Sequence, residues 1–364
     1  MRPTVAAFTD TYLPTVNGVT YTVKTWSDRW QRRGGRMDIV YPQSEHTPTA
    51  DEYPVTSLPF PIYNGFRIGF PRIPDAVRDA DIVHTHTAFG VGVGGLRLAK
   101  KEGQPLVTSF HTPTSEYAAY LTERSIARVI GRTSVAYEDW YLDHADHIVT
   151  PSENSRDRLL DRGVEPPVTI VPNGIDVDRF EPTETDGFRE RFDLPRGPLV
   201  GYTGRHGYEK RLGDIIDATA GLDVTVVFGG DGPARANLEE HAAATNVDVR
   251  FLGFLDREDL PAFYSALDVF AFPSPVETQG LVALEANACG TPVVGVKQGA
   301  LVDTVDDGET GYHYDPGDID AFQTAILRAL DNPETLSASC LDQRDAISVE
   351  HSVDQLERVY EDVL

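Results

Sequence analysis

Two glutamates, Glu277 and Glu285, stand eight residues apart in the stretch AFPSPVETQGLVALEANACGTPVVGV, residues 271–296. With Glu277 in a loop and Glu285 a turn or two inside the helix that follows, both carboxylates suit the hydroxyls of a sugar or a ribose. Gly280 lets the backbone approach a ligand closely, and free N–H groups at Gly280 and Leu281 suit a phosphate at a helix start. A second cluster is cationic. Arg205 and Lys210 lie five residues apart around Gly204 and Gly207 in GRHGYEKRLGDII, directly before a helix, where two cations suit a diphosphate. Three histidines follow strand-like runs: His84 and His86 after Ala80-Asp-Ile-Val, and His111 after Pro105–Phe110. A neutral imidazole can donate to a hydroxyl or to a developing charge near pH 7, and the alternative at a strand end is packing, which is preferred for His84. His84-x-His86 has no third ligand nearby for a metal, and Asp176-x-Asp178 lies in a linker-like segment, so no metal site is expected.

These groups need strands and helices to hold them. The apolar run Val269–Phe272, the prolines after it, the helix face of Leu281, Leu284 and Ala288 and the Gly-Thr-Pro break before Val293 predict strand, loop, helix and strand. At the N-terminus, Thr4–Phe8 reads as a buried strand, Asn17-Gly18 as a break, and Val19, Val23, Trp26 and Trp30 as one face of a helix ending at Gly34-Gly35. That is half of a Rossmann unit, although the glycines fall short of a dinucleotide fingerprint. Residues 43–74 form a proline- and glycine-rich excursion with one or two short strands. A long helix over Tyr120–Tyr141 carries Arg124, Arg128 and Arg132 on one stripe beside Ile126, Val129 and Ile130, as a solvated face or a membrane-facing one.

Bulk properties narrow the function. The 364-residue chain is long enough for two domains. Cys289 and Cys340 make no disulfide framework, and no signal peptide or membrane-spanning segment is expected. The net charge is -25, with only five lysines among 32 basic residues, which fits a protein kept soluble in very high salt. The first 179 residues hold 19 basic and 22 acidic side chains and the remainder 13 and 35, so nucleic acid is not an expected partner. Only the first half could approach an anionic surface.

Glu277, seven residues and Glu285, inside SPVETQGLVALEANACGTPVV, resembles the acidic signature of the retaining glycosyltransferases of family four. Asn17-Gly18 and the Arg205 to Lys210 segment resemble the same family, which implies an α/β fold of the GT-B type, two Rossmann-like domains facing each other across a crevice. The resemblance implies an N-terminal acceptor-binding domain over residues 1–172, a nucleotide-sugar-binding domain over 173–350, and a C-terminal helix, 351–364, returning to the first domain. It further implies that Gly18, Arg205, Lys210, Glu277, Gly280, Leu281 and Glu285 bind the donor, that His111 contacts the donor sugar, and that Asp10 and His86 belong to the acceptor pocket. Glu277 would hold sugar hydroxyls, Glu285 the ribose, and the cations the leaving diphosphate, with no metal or other cofactor required. ETQGL, TDTYLPTVNGV and the His111 segment look most like the branch that glycosylates diacylglycerol-type lipids. The expected partners are a nucleotide sugar and a lipid or glycan acceptor, with peripheral membrane contact through Arg124, Arg128 and Arg132 at the inner face of the cell membrane. A nucleotide-sugar epimerase and a non-catalytic donor-binding protein are the competing classes.

Overall fold

A computed structural model describes residues 2–15, 17–60, 66–111 and 134–364. The arginine stripe of Arg124, Arg128 and Arg132 and its apolar neighbours lie outside the described residues. The chain divides into two compact units, one of Met1–Gly174 with Val349–Leu364 and one of Ile175–Ser348.

In the first unit the strands are β1 (Thr4–Phe8), β2 (Arg36–Pro42), β3 (Glu52–Val55), β4 (Ser57–Pro59), β5 (Arg67–Gly69), β6 (Ile82–Thr85), β7 (Leu106–Ser109), β8 (His147–Thr150) and β9 (Val168–Ile170). Seven of them form a parallel sheet in the order β3-β2-β1-β6-β7-β8-β9, while β4 and β5 pair as an antiparallel hairpin. Both faces of the sheet are covered, so β1 is apolar throughout rather than alternating. Val5 and Ala7 pack with Trp26 and Trp30, whereas Ala6 and Phe8 pack with Val91 and Leu96.

The helix Gly18–Arg32 starts where expected, because the Asn17 side chain accepts from Thr20 N–H, and it buries Val19, Val23, Trp26 and Trp30. The helix Val349–Val363 lays Val353, Leu356 and Tyr360 into the same apolar cluster. Arg33 ties it down through Glu350 and Asp354 at 2.7 and 2.5 Å.

The second unit contains β10 (Leu199–Thr203), β11 (Thr225–Gly229), β12 (Val249–Gly253), β13 (Val269–Phe272), β14 (Val293–Val296) and β15 (Gly311–Tyr314). They form one parallel sheet in the order β12-β11-β10-β13-β14-β15. The order reverses between β10 and β13, and in open α/β sheets ligands bind beyond the carboxyl ends of the strands at that reversal. The first sheet has the corresponding reversal between β1 and β6. Cys289 and Cys340 are buried free thiols.

Candidate functional site

The two loops leaving the reversal point of the second sheet carry the expected donor residues. Gly204–Lys210 follows β10 and Pro273–Gly280 follows β13. The loops are joined by an ion pair, Lys210 Nζ to Glu277 Oε1 at 2.5 Å, between side chains only 17% and 15% exposed. Burial opposes the charge on Lys210, but Glu277, with Tyr202 and Glu209, outweighs it and raises the ammonium pKa above its usual value, so the lysine stays protonated. Arg205 Nη2 meets Glu209 Oε1 at 2.5 Å, which aims the guanidinium along the same loop.

Glycine holds this loop against its neighbour. A Cβ on Gly230, whose φ is +103°, would stand 2.0 Å from the Gly204 carbonyl oxygen. His206, fully buried, braces the contact through its backbone N–H to Asp231 O at 2.8 Å and its ring Nε2 against Gly229 O at 3.2 Å. Burial lowers its pKa and keeps the ring neutral.

Gly280 takes a left-handed φ of +79° to begin the helix Leu281–Ala288, and no side chain caps that start. The first N–H groups of an α-helix have no intrahelical partner and can serve as donors to an anion. Glu285 takes the expected place a turn inside the helix. It lies inside the helix at 8% exposure, with Oε2 accepting from Tyr264 O–H at 2.7 Å. Burial raises its carboxyl pKa against the pull of Arg257 and of Tyr264. The eight-residue spacing therefore separates the two carboxylates by environment: Glu277 is paired with a cation, and Glu285 is committed in part to Tyr264.

In the first unit, Asp10 follows β1 at the reversal point. Its Oδ1 accepts from Val91 N–H at 2.7 Å, and its Oδ2 accepts from Thr87 O–H at 2.6 Å and Gly92 N–H at 3.2 Å. Both oxygens cap the helix Gly90–Glu102, so this carboxylate positions a helix start. Burial pushes its pKa up despite those three donors. Gly18 is the first residue of its helix and is exposed.

His84, His86 and His111 form a buried column, with ring centroids 4.2 Å apart for the first pair and 5.4 Å for the second. His86 Nδ1 lies 3.1 Å from His111 Nε2, while His84 bonds the Tyr360 hydroxyl at 2.7 Å and Ser109 Oγ at 2.8 Å. Burial holds His84 down to about 3 and His111 to about 4, the latter against a hydrogen bond to Asn173, which favours the protonated ring. His86 is also pushed well below its usual value, by burial and then by the other two rings. All three are neutral near pH 7. His84 packs among these rings, and His86 is drawn into the same column rather than set apart from it.

Beside Asp10 a cavity of about 460 Å³ is lined by Thr11, Tyr12, Ser44, Phe60, Phe66 and Arg67 among others. A larger one, about 740 Å³, lies by Leu106, His147 and Asp362, where the strands begin. The smaller cavity is at the edge where open parallel sheets bind ligands.

Sequence reading did not single out Glu209, Tyr264 or His206. Glu209 had a signal, since it stands four residues after Arg205, but the other two reach their partners only through the fold. Among the described residues, no group of three or more His, Cys, Asp or Glu gathers to hold a metal ion.

Two doubly wound parallel sheets of this kind are the architecture of the GT-B class. Residues 16–179 match the model for glycosyltransferase family 4 and residues 186–340 that for glycosyl transferases group 1. The chain is 31% identical to a GDP-mannose-dependent alpha-mannosyltransferase of Mycolicibacterium smegmatis, over 90% of this chain and 87% of that one. It is 28% identical to an alpha-monoglucosyldiacylglycerol synthase of Streptococcus pneumoniae, over 90% and 78% of the two chains. Among solved structures, sucrose-phosphate synthase from Thermosynechococcus elongatus superposes with a TM-score of 0.78 at 22% identity, covering 99% of each chain. The protein belongs to the family 4 glycosyltransferases and is an enzyme of that class.

Proposed function

We propose that the protein transfers a hexose, with retention of anomeric configuration, from a UDP- or GDP-linked sugar to the hydroxyl of a membrane lipid of diradylglycerol type. The observation that carries the donor half is the Lys210–Glu277 pair beside the uncapped helix start at Gly280. Lys210, Arg205 and the N–H groups at Gly280 and Leu281 hold the diphosphate and stabilise its charge as it departs. Glu277, fixed by Lys210, accepts from sugar hydroxyls, His111 contacts the sugar, and Glu285 takes the ribose through the oxygen that Tyr264 leaves available. The bond from the anomeric carbon to the phosphate oxygen breaks and one to the acceptor oxygen forms. The acceptor's proton passes to the departing phosphate, so no side-chain base is required. With two cations on the diphosphate, no metal is required either.

The lipid acceptor is supported by the similarity to the alpha-monoglucosyldiacylglycerol synthase and by the cavity beside Asp10, whose Phe60 and Phe66 give it apolar walls and whose Arg67 gives it a cation. Thermal unfolding against a panel of nucleotide sugars identifies the donor, since a ligand at 100 times its dissociation constant adds about 2.7 kcal/mol. Transfer from that donor to diacylglycerol, with and without a chelator, then tests the rest. Undiminished transfer in the chelator is the expected result. Loss of activity that magnesium or manganese restores overturns the metal-free mechanism, and transfer to a soluble glycan alone overturns the lipid acceptor.

A further inference from the structure

The hairpin β4–β5 reverses the usual distribution of apolar side chains. Its cross-strand pairs Ser57↔Gly69, Leu58↔Ile68 and Pro59↔Arg67 alternate between two faces. The face carrying Ser57 and Gly69 lies against the rest of the unit. A Cβ on Gly69 would stand 2.4 Å from Val91 Cγ2, and Ser57 Oγ donates to Gln43 O at 2.6 Å. The outer face carries Leu58, Ile68 and, two residues on, Phe70, which are 59%, 47% and 47% exposed. A strand pair with one covered face normally turns its apolar side chains inward. Here the small and polar ones are inside and the large apolar ones outside.

Composition decides what covers this face. Acidic residues number 57 of 364, yet none occurs between Glu52 and Asp75, a stretch whose only charges are Arg67 and Arg72. Carboxylates in this stretch would be repelled by an anionic lipid surface, whereas its two arginines would be attracted to one. The outer face also continues into the cavity wall. Phe60 N–H donates to Phe66 O at 2.9 Å in the next step of the ladder, the two rings meet edge to face at 6.0 Å, and both line the cavity.

We propose that Leu58, Ile68 and Phe70, with Arg72 beside them, form the surface by which the enzyme lies on an anionic bilayer, so that a lipid acceptor passes along Phe60 and Phe66 into the cavity. This rests on the lipid-acceptor reading above. Apolar insertion is not screened by salt, so attachment through this face persists at ionic strengths where arginine attraction alone has faded.

The test is sedimentation of the full chain with phosphatidylglycerol vesicles and with phosphatidylcholine vesicles, at low and high salt. Wild type is compared with Leu58→Ser/Ile68→Ser/Phe70→Ser, and with Phe70→Glu alone should the triple variant fold poorly. Wild type is expected to favour phosphatidylglycerol and to stay bound at high salt, with binding weakened at least about tenfold in the triple variant. Transfer to detergent-dispersed diacylglycerol should be unchanged in both variants, because none of the three side chains lines the cavity. Wild-type vesicle binding in the variants, or no vesicle binding by wild type, overturns the proposal. So does self-association that the triple variant abolishes while its vesicle binding stays intact. If wild type glycosylates no detergent-dispersed diacylglycerol, the lipid-acceptor reading fails and takes the route into the cavity with it, while the vesicle result still decides whether the face meets a bilayer.

Discussion

At the scale of single residues, the Lys210–Glu277 pair does two things. It keeps the lysine charged at a largely buried site, and it joins two loops that start from different strands. Lys210→Ala and Glu277→Ala should each lower kcat at saturating donor by about 10²–10³-fold, the cost of losing one contact to a developing charge. Circular dichroism of both variants should match wild type; near wild-type turnover in either would remove the pair from the site.

The histidine column gives a pH prediction. His84 and His111, held to about 3 and about 4, sit below the roughly 6.5 of a free imidazole. Because the folded values are depressed, the unfolded chain binds more protons once the pH drops below about 6.5. Stability is then full above that pH and is lost as pH falls toward the folded values. Ring-nitrogen NMR at pH 5.5 should show both rings neutral, and a wild-type titration near 6.5 at either would contradict the buried column.

At the scale of elements, a glycine at φ +79° sets the start of the helix Leu281–Ala288. A Cβ there would meet Leu301 Cδ2 at 3.0 Å and Phe272 Cε1 at 3.2 Å, on a backbone conformation that costs an L residue about 1–2 kcal/mol. Gly280→Ala should therefore lower the thermal midpoint and raise KM for the donor, since strain moves the N–H groups that hold the diphosphate. An unchanged KM would show that this helix start does not touch the donor. The cap that Asp10 places on the helix Gly90–Glu102 is the matching device in the first unit.

At the scale of the whole molecule, the chain passes between its units twice, after Gly174 and after Ser348, so the first unit is completed by Val349–Leu364, a segment distant from it in sequence. Val353, Leu356 and Tyr360 are buried in the cluster that holds Trp26 and Trp30. Ending the chain at Ser348 should strip amide-exchange protection from β1 and β6 while leaving β10 and β13 protected. Equal loss in both units would show that they fold as one. Among the described residues, no helix is long and apolar enough to cross a membrane.

Strand and helix periodicity, the break at Asn17-Gly18 and the glycine turns were legible in the sequence, because each is set by neighbours within a few positions. The two-domain α/β reading followed from the same local rhythm together with the family signature. Contacts between distant segments were not legible. Lys210 finds Glu277 across 67 residues, His84 finds Tyr360 across 276, and Tyr264 donates to an oxygen of Glu285 where the helix Leu260–Ala266 meets Leu281–Ala288. The sequence placed the two glutamates on one ligand, but their different burial follows from sheet order, which puts β13 beside β10 and turns one carboxylate toward a cation and the other toward a tyrosine. Local pattern determines which elements form, and long-range packing alone decides which side chains they bring within bonding distance.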